Sequence, residues 1–383
     1  MISLADIRDK VVTIPSPHKH LRSIFRTSER HEGRKGLICL DRNERVSPIP
    51  EAVFREMLAH VTVQDVMAYP DSGPFVEQLA RGLSLPEDHI AETAGSDAAL
   101  RRVFMAYHRP EGIVVSLDPS YAMYELYTRI FRGRSKLVLY RADRQCDVES
   151  LLGAIEPGVQ LVIIAHPDQP VGTAMANSDI RSVISRAAAV GAICLIDEAY
   201  YPFNPVTVIA AVREFDNLLV TRSFSKYPGC AGLRLGYAVG HPSLIAGLMT
   251  VRGGNEVSGL SLALGCYLLD HPAIAEDFRM AAEEGRRRLI VRSAVLGFEP
   301  LPCVTNFHLL RCPPGTPPEQ IASALKRRGY LVKHGFAHGS IKDCIRVSLN
   351  GPDIMDPFLE ALTEVASELM PPARAGHAQS WSK

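Results

Sequence analysis

The sequence predicts an α/β fold of three layers, a mainly parallel sheet between helices, with a smaller α+β unit at the C-terminal end. Three observations predict it. Short β-rich runs alternate with helical patterns: IVVSL at 113–117, KLVLY at 136–140, QLVIIA at 160–165, AICLID at 192–197, NLLVTR at 217–222 and LGYAV at 235–239. Near-continuous apolar strands separated by helices belong in a parallel sheet covered on both faces. After residue 240 the pattern turns helical for a long stretch, and from about 300 strand-like TNFHLL and CIRVSLN alternate with helix-like PPEQIASALKRRG and PDIMDPFLEALTEVASELM.

Taken in order, residues 1–36 are polar, rich in Arg, Lys and His, and without sustained periodicity, so they read as an arm. Residues 37–298 form the expected large unit. Ahead of IVVSL, the segment SDAALRRVFMAYH places Leu100, Val103, Phe104 and Tyr107 at the spacing of one helical face, with Ser96 or Asp97 as its expected cap. The stretch SLALGCYLLDHPAIAEDFRMAAEEGRRRLIVRSAV predicts a long helix linking the two units. Residues 299–370 form the smaller unit, and the apolar-poor tail 371–383 is expected to be disordered.

Composition bounds the function. At 383 residues the chain exceeds one ordinary core. Lys plus Arg and Asp plus Glu are balanced at 42 each, which leaves no electrostatic footprint for nucleic acid or an anionic membrane and points to small-molecule partners. No segment has the uninterrupted apolar length of a spanning helix, and the start MISLADIRDKVVTIP lacks the pattern of a signal peptide. Eight scattered cysteines, several inside apolar runs, read as reduced residues of a cytoplasmic protein. No spacing suggests a metal site.

The chemistry concentrates in TRSFSKYPGCAGLRLGYAVG, where a strand ends in small hydroxyl residues, Lys226 follows, and a Gly-rich turn leads to Arg234. A lysine near a buried strand end loses part of its hydration, which lowers its pKa and makes the amine nucleophilic toward a carbonyl. Ser223 and Ser225 can donate to phosphate oxygens, and Arg234 offers a planar fork. Upstream, Asp197 in IDEAYYPF ends a predicted strand, where parallel sheets bind ligands, and could keep a pyridine nitrogen protonated. Tyr200 could donate to a phenolic oxygen. Gly95, Ser96 and Asp97 open the predicted helix, whose free N–H groups attract phosphate. Tyr121, just past IVVSL, could stack on a planar ring. Each of these alone also reads as a cap, a packed aromatic or a surface charge; their joint order carries the argument.

That order resembles the fold-type-I pyridoxal-phosphate enzymes, specifically class I/II aminotransferases close to histidinol-phosphate aminotransferase. The matching motifs over about 37–370 are LDRNE, YPDSG, GSDAAL, DPSYAMY, HPDQPVGT, IDEAYYPF, SFSKYPGCAGLRLG and IRVSLN. The resemblance implies pyridoxal 5'-phosphate as cofactor, Lys226 as its Schiff-base lysine and proton shuttle, Asp197 as the pyridinium partner, Tyr200 as the partner of the phenolic oxygen and Tyr121 as the stacking ring. It implies a phosphate held by Ser223, Ser225, Arg234 and the amides of Ser96 and Asp97, and by Tyr69 from the neighbouring subunit of a homodimer. Arg346 would grip the substrate carboxylate, with Asn43 and Glu44 lining the mouth. The implied reaction is ping-pong transfer of an amino group between small amino and oxo substrates.

Three departures bear on the substrate. The family's N-P-T-G reads Gln169-Pro170-Val171-Gly172, so the amide expected to reach the phenolic oxygen sits one methylene farther out. Lys333 stands where a histidinol-phosphate enzyme would show a phosphate-binding arginine, and a point charge replaces a fork. Arg45 enters the NERVSP segment, either as an anion contact at the mouth or as a solvated residue. These favour a substrate other than histidinol phosphate. The alternative within the fold is a decarboxylase or lyase, for example one resembling threonine-phosphate decarboxylase. A transcriptional regulator built on the same fold is disfavoured by the short preamble and neutral charge.

Overall fold

The computed structural model describes residues 18–24 and 33–370. Most of the expected arm and the whole expected tail, 371–383, lie outside them. Strand β1 (Ile38–Leu40) is followed by helices α1 (Glu51–Ala59), α2 (Val63–Met67) and α3 (Gly73–Leu83). The alternating region then runs β2 (Ile90–Thr93), α4 (Ser96–Tyr107), β3 (Ile113–Asp118), α5 (Ala122–Ile130), β4 (Arg134–Leu139), α6 (Val148–Ala154), β5 (Val159–Ala165), α7 (Asn177–Ala189), β6 (Ile193–Asp197), β7 (Leu218–Ser223) and β8 (Gly236–Gly240). Helices α8 (Pro242–Thr250), α9 (Gly259–Asp270) and α10 (Ala273–Val295) lead to β9 (Glu299–Leu301), β10 (Phe307–Arg311), α11 (Pro318–Arg327), β11 (Tyr330–Val332), β12 (Cys344–Ser348) and α12 (Pro352–Leu369).

The seven-stranded sheet has the order β2-β8-β7-β6-β5-β3-β4. Its β3/β4, β3/β5, β5/β6 and β6/β7 pairs are parallel, and β8 runs antiparallel to both β7 and β2. Helical crossovers keep the central strands parallel, whereas the connection from β7 to β8 contains only a three-residue 3-10 turn, Ala231–Leu233, and reverses the chain. Strands β5 and β6 are apolar on both faces, as a covered parallel sheet requires. One core lies on each side of this sheet, with Val162, Ile164 and Ile196 facing one and Leu161, Ile163 and Leu195 facing the other, as the two-residue period dictates.

A second assembly contains the antiparallel sheet β12-β10-β9 and the parallel pair β1-β11, packed with α11, α12 and the C-terminal part of α10 around Leu310, Ile345, Val347, Phe358 and Leu362. Ile38–Leu40 pairs with β11, and Leu40 is buried in this second core. A three-residue strand has no period that could disclose its partner. The single long helix expected after 240 is two, because Pro272 disfavours helical backbone at His271 and then serves as the N-cap of α10. Among the described residues no helix is long and apolar enough to cross a membrane.

Candidate active site

The strands β3, β5, β6 and β7 end along one edge of the sheet; Asp197 closes β6, and the turns that follow the strands carry Tyr121, Gln169, Tyr200 and Lys226. Asp197, the last residue of β6, is buried and stands directly opposite Thr221 in the parallel ladder. Its carboxylate accepts hydrogen bonds from the Tyr124 hydroxyl at 2.9 Å, the Thr221 hydroxyl at 3.0 Å and the Ala199 amide at 3.2 Å. Burial outweighs these donors and raises the carboxyl to about 6.

Lys226 is partly buried, and its ammonium donates to the carbonyls of Arg42 at 3.0 Å and Asn43 at 3.3 Å. Burial first, then the Arg346 charge, lower it to about 8, with Glu44 opposing and Arg234 adding. A substantial neutral fraction near neutral pH is what a nucleophilic amine requires. Tyr200 accepts from the Asn43 side-chain amide at 2.8 Å, and burial pushes its hydroxyl up to about 12 against the lowering effects of Arg346 and Asn43.

Between β2 and α4, Gly95 adopts φ +82° and is the N-cap, so Ser96 and Asp97 are the first helical residues and not the side-chain caps the sequence suggested. Their N–H groups lack intrahelical acceptors. A Cβ on Gly95 would come within 2.9 Å of Arg234 Nη2, and one on Gly236 within 2.9 Å of the Ser96 nitrogen. The glycines thus let a guanidinium and a helix start share one small cup. Arg234 donates to Ser225 Oγ at 3.3 Å, and Ser223 Oγ accepts from the Ser225 amide at 3.1 Å. This concentration of amides, hydroxyls and one guanidinium suits a phosphate.

Tyr121 lies T-shaped against Tyr124, ring centroids 5.6 Å apart, and its hydroxyl is raised by burial with further contributions from Asp97 and Asp197. It therefore sits between the cup and the buried carboxylate. On the opposite side Arg346, on β12 and only 4 % exposed, donates through Nη2 to the Asp41 carbonyl at 2.9 Å. Its Nε and Nη1 are buried without partners, and its guanidinium lies 5.1 Å from the Phe307 ring centre. Two open donors on a buried planar cation fit an incoming carboxylate. Lys333 pairs with Arg346 through both backbone bonds, at 3.1 and 2.7 Å, and its own side chain is exposed. Directly paired residues share one face of a ladder.

Segment 41–44 covers this side of the site. Asn43, at φ +58°, donates its amide to Ser348 Oγ at 2.8 Å and accepts from Asn306 at 2.9 Å. Glu44 and Asp41 are ion-paired with Arg34 at 2.6 and 3.0 Å. Arg45 turns away from the mouth: it donates to the carbonyls of Ser47 and Pro48, lies 4.9 Å over the Phe278 ring and packs on Gly229, where a Cβ would approach its Cδ to 2.5 Å.

The structure thus brings together Lys226, Asp197, Tyr200, Asn43, Arg346 and Tyr121. Tyr69, 89 % exposed after α2, stands apart at the surface. The Gln169 side chain forms no hydrogen bond among the described residues. Sequence reasoning missed Tyr124, Thr221 and Asp168, and the Arg34 clamp. The three-residue spacing of Tyr121, Tyr124 and Tyr127 was the available signal, since it repeats one face of a helix; Tyr127 donates to Asp97 at 3.0 Å. Together, the glycine-lined cup, the buried carboxylate and the open guanidinium fit pyridoxal phosphate and an amino-acid substrate.

Residues 36–362 match the family described as aminotransferase class I and II. The chain is 32 % identical over 345 residues to the histidinol-phosphate aminotransferase of Symbiobacterium thermophilum, covering 89 % of this chain and 93 % of the relative. Its fold is similar to the crystal structure of histidinol-phosphate aminotransferase from Sinorhizobium meliloti in complex with pyridoxal-5'-phosphate, with TM-score 0.82, 25 % identity and coverage of 93 % and 99 %. The L-threonine-O-3-phosphate decarboxylase of Porphyromonas gingivalis shares the fold at TM-score 0.71 and 20 % identity, covering 86 % of this chain and 100 % of that one.

Proposed function

The chain belongs to the class I and II aminotransferases, a family of enzymes dependent on pyridoxal phosphate, and on that premise we propose that it moves an amino group between an amino acid or amine and a 2-oxo acid in two ping-pong half-reactions. The observation that carries the reading is the convergence of a partly neutral lysine, a buried carboxylate and a buried arginine with two open donors. When bound, the cofactor supplies a ring that withdraws electrons and stabilises negative charge at the substrate α-carbon.

The residues divide the work. Asp197 would keep the ring nitrogen protonated, Tyr200 and Gln169 would serve the phenolic oxygen, Tyr121 would stack on the ring, and Gly95, Ser96, Asp97, Ser223, Ser225 and Arg234 would hold the phosphate. Lys226 would anchor the cofactor, and its partly neutral amine is the group placed to hold and move a proton at the substrate α-carbon. Arg346 orients the substrate carboxylate, with Asn43 and Glu44 at the mouth.

Lys333 beside Arg346 supports a second, weaker anion contact at the distal end of the substrate. A point charge in place of a fork, together with the longer Gln169, favours a substrate other than histidinol phosphate. The exposed apolar side chains Phe54, Leu58, Val63, Val66 and Met67 next to Tyr69 support a homodimer that buries them and delivers Tyr69 to the neighbour's phosphate cup. Eight free thiols support a reducing, cytoplasmic setting.

The test supplies the purified enzyme and cofactor with 15N-labelled amino donors and a panel of 2-oxo acids, histidinol phosphate included among the donors. Label appearing in the amino product, without carbon dioxide release, supports transamination. Stoichiometric carbon dioxide release, with the label retained in the decarboxylated amine of the donor and none in an amino product of the 2-oxo acid, would establish the decarboxylase reading instead.

A further inference from the structure

Asp168 lies in the loop after β5, 1 % exposed, and its hydrogen-bond donors are all neutral. Ser120 Oγ donates to its Oδ2 at 2.6 Å and the Val171 amide reaches its Oδ1 at 3.4 Å. Its backbone closes the same loop, donating to the Thr173 carbonyl at 2.9 Å and accepting from the Gly172 amide at 3.0 Å. Burial, aided slightly by the Asp197 charge, raises the carboxyl to about 7.

Position gives these bonds their meaning. Ser120 immediately precedes Tyr121, and Gln169 immediately follows Asp168. One carboxyl therefore joins the turn after β3 to the loop after β5, the two segments that would flank the cofactor ring on its face and at its phenolic edge. Both segments are irregular backbone, so no sheet ladder fixes their separation.

We propose that Asp168 is a positioning residue that bolts the Tyr121 turn to the Gln169 loop and so fixes the stacking ring relative to the amide at the cofactor's edge. This rests on the pyridoxal-phosphate reading of the site. The bolt acts through shape and hydrogen bonds, not charge. An asparagine in the same place accepts from Val171 through Oδ1 and donates to Ser120 through Nδ2, so it should substitute.

The test measures cofactor affinity of the apo-protein by equilibrium dialysis and the induced circular dichroism of the visible band in the loaded protein, which reports how the ring is seated. Asp168→Asn should stay close to wild type in both. Asp168→Leu should weaken cofactor affinity about tenfold or more and alter the dichroic band, in line with two lost buried hydrogen bonds. Ser120→Ala should shift both in the same direction by less, and adding it to Asp168→Leu should change little more. Ile184→Val, on the buried face of α7, should lower Tm while leaving affinity and dichroism unchanged.

Asp168→Leu matching wild type in both readouts would overturn the proposal, as would Asp168→Asn being as impaired as Asp168→Leu, which would assign the role to charge. Should Asp168→Leu not fold, Ser120→Ala decides alone, and an unchanged dichroic band there refutes the bolt. Wild-type protein that binds no pyridoxal phosphate would instead defeat the underlying reading of the site.

Discussion

The side-chain amide of Asn43 donates to the Tyr200 hydroxyl at 2.8 Å, joining segment 41–44 to the end of β6. The same Asn43 offers its carbonyl to Lys226 and to Asn306. Removing the amide leaves a buried hydroxyl without its donor and loosens the segment that covers the site. Asn43→Ala should lower kcat/KM about tenfold, the effect of one unsatisfied buried polar group. Tyr200→Phe should behave similarly, and the double variant should be no worse than the poorer single one, measured by steady-state kinetics on the three proteins.

Arg346 presents two buried, open donors. Arg346→Ala should lower kcat/KM for carboxylate-bearing donors by about 100-fold, in the range measured for truncated buried charge pairs. Arg346→Lys should recover little, because an ammonium is a point charge without the planar donor array of the guanidinium. An amine donor without a carboxylate should lose much less with either variant, and comparing the two donor classes checks the assignment.

Asp197 carries a stability prediction for the apo-protein. Its folded pKa, about 6, is above the ordinary 3.8, so the folded state holds the proton more tightly than the unfolded one. The resulting penalty is absent below pH 3.8, grows as pH rises through 6, and is complete above it. Apo Asp197→Asn should accordingly be more stable than apo wild type at pH 8, by about 1–3 kcal/mol, since the shift spans roughly two units. The advantage should vanish by pH 4. Denaturant unfolding at the two pH values measures it, and wild type loaded with cofactor should recover the difference because a pyridinium then faces the carboxylate.

Arg34 holds Glu44 in an ion pair, and Glu44 raises the proton affinity of Lys226. Arg34→Ala frees the Glu44 charge to act on the lysine alone. The pH midpoint for attachment of the cofactor should therefore move upward relative to wild type, as followed by the growth rate of the visible band.

The alternating region was legible because its physics is local. Strands such as QLVIIA and AICLID are apolar on both faces, and a parallel sheet puts ligands beyond their C-terminal ends, so Tyr121, Asp197 and Lys226 could be placed from order alone. The cover over the site was much less so. Segment 41–44 was read as a substrate mouth by resemblance, but β1 is too short to reveal that it pairs with β11, and that pairing brings 41–44 over Lys226 and Arg346. Asp168 was missed for a related reason: in a Pro-rich loop an aspartate looks like a turn residue, and only the fold shows that Ser120 lies against it. Arg45 reads from sequence as an anion contact or a solvated residue, and instead packs against Phe278 and Gly229, both distant in sequence.

The central claim is that Lys226 is the amine that holds the cofactor. Reduction of the loaded protein with borohydride, followed by digestion and peptide mass analysis, tests it most directly. A phosphopyridoxyl adduct is expected on Lys226 alone, forming more readily as pH rises toward the lowered pKa of its amine, with no visible band in Lys226→Ala. An adduct on a different lysine, or an unchanged visible band in Lys226→Ala, would contradict it.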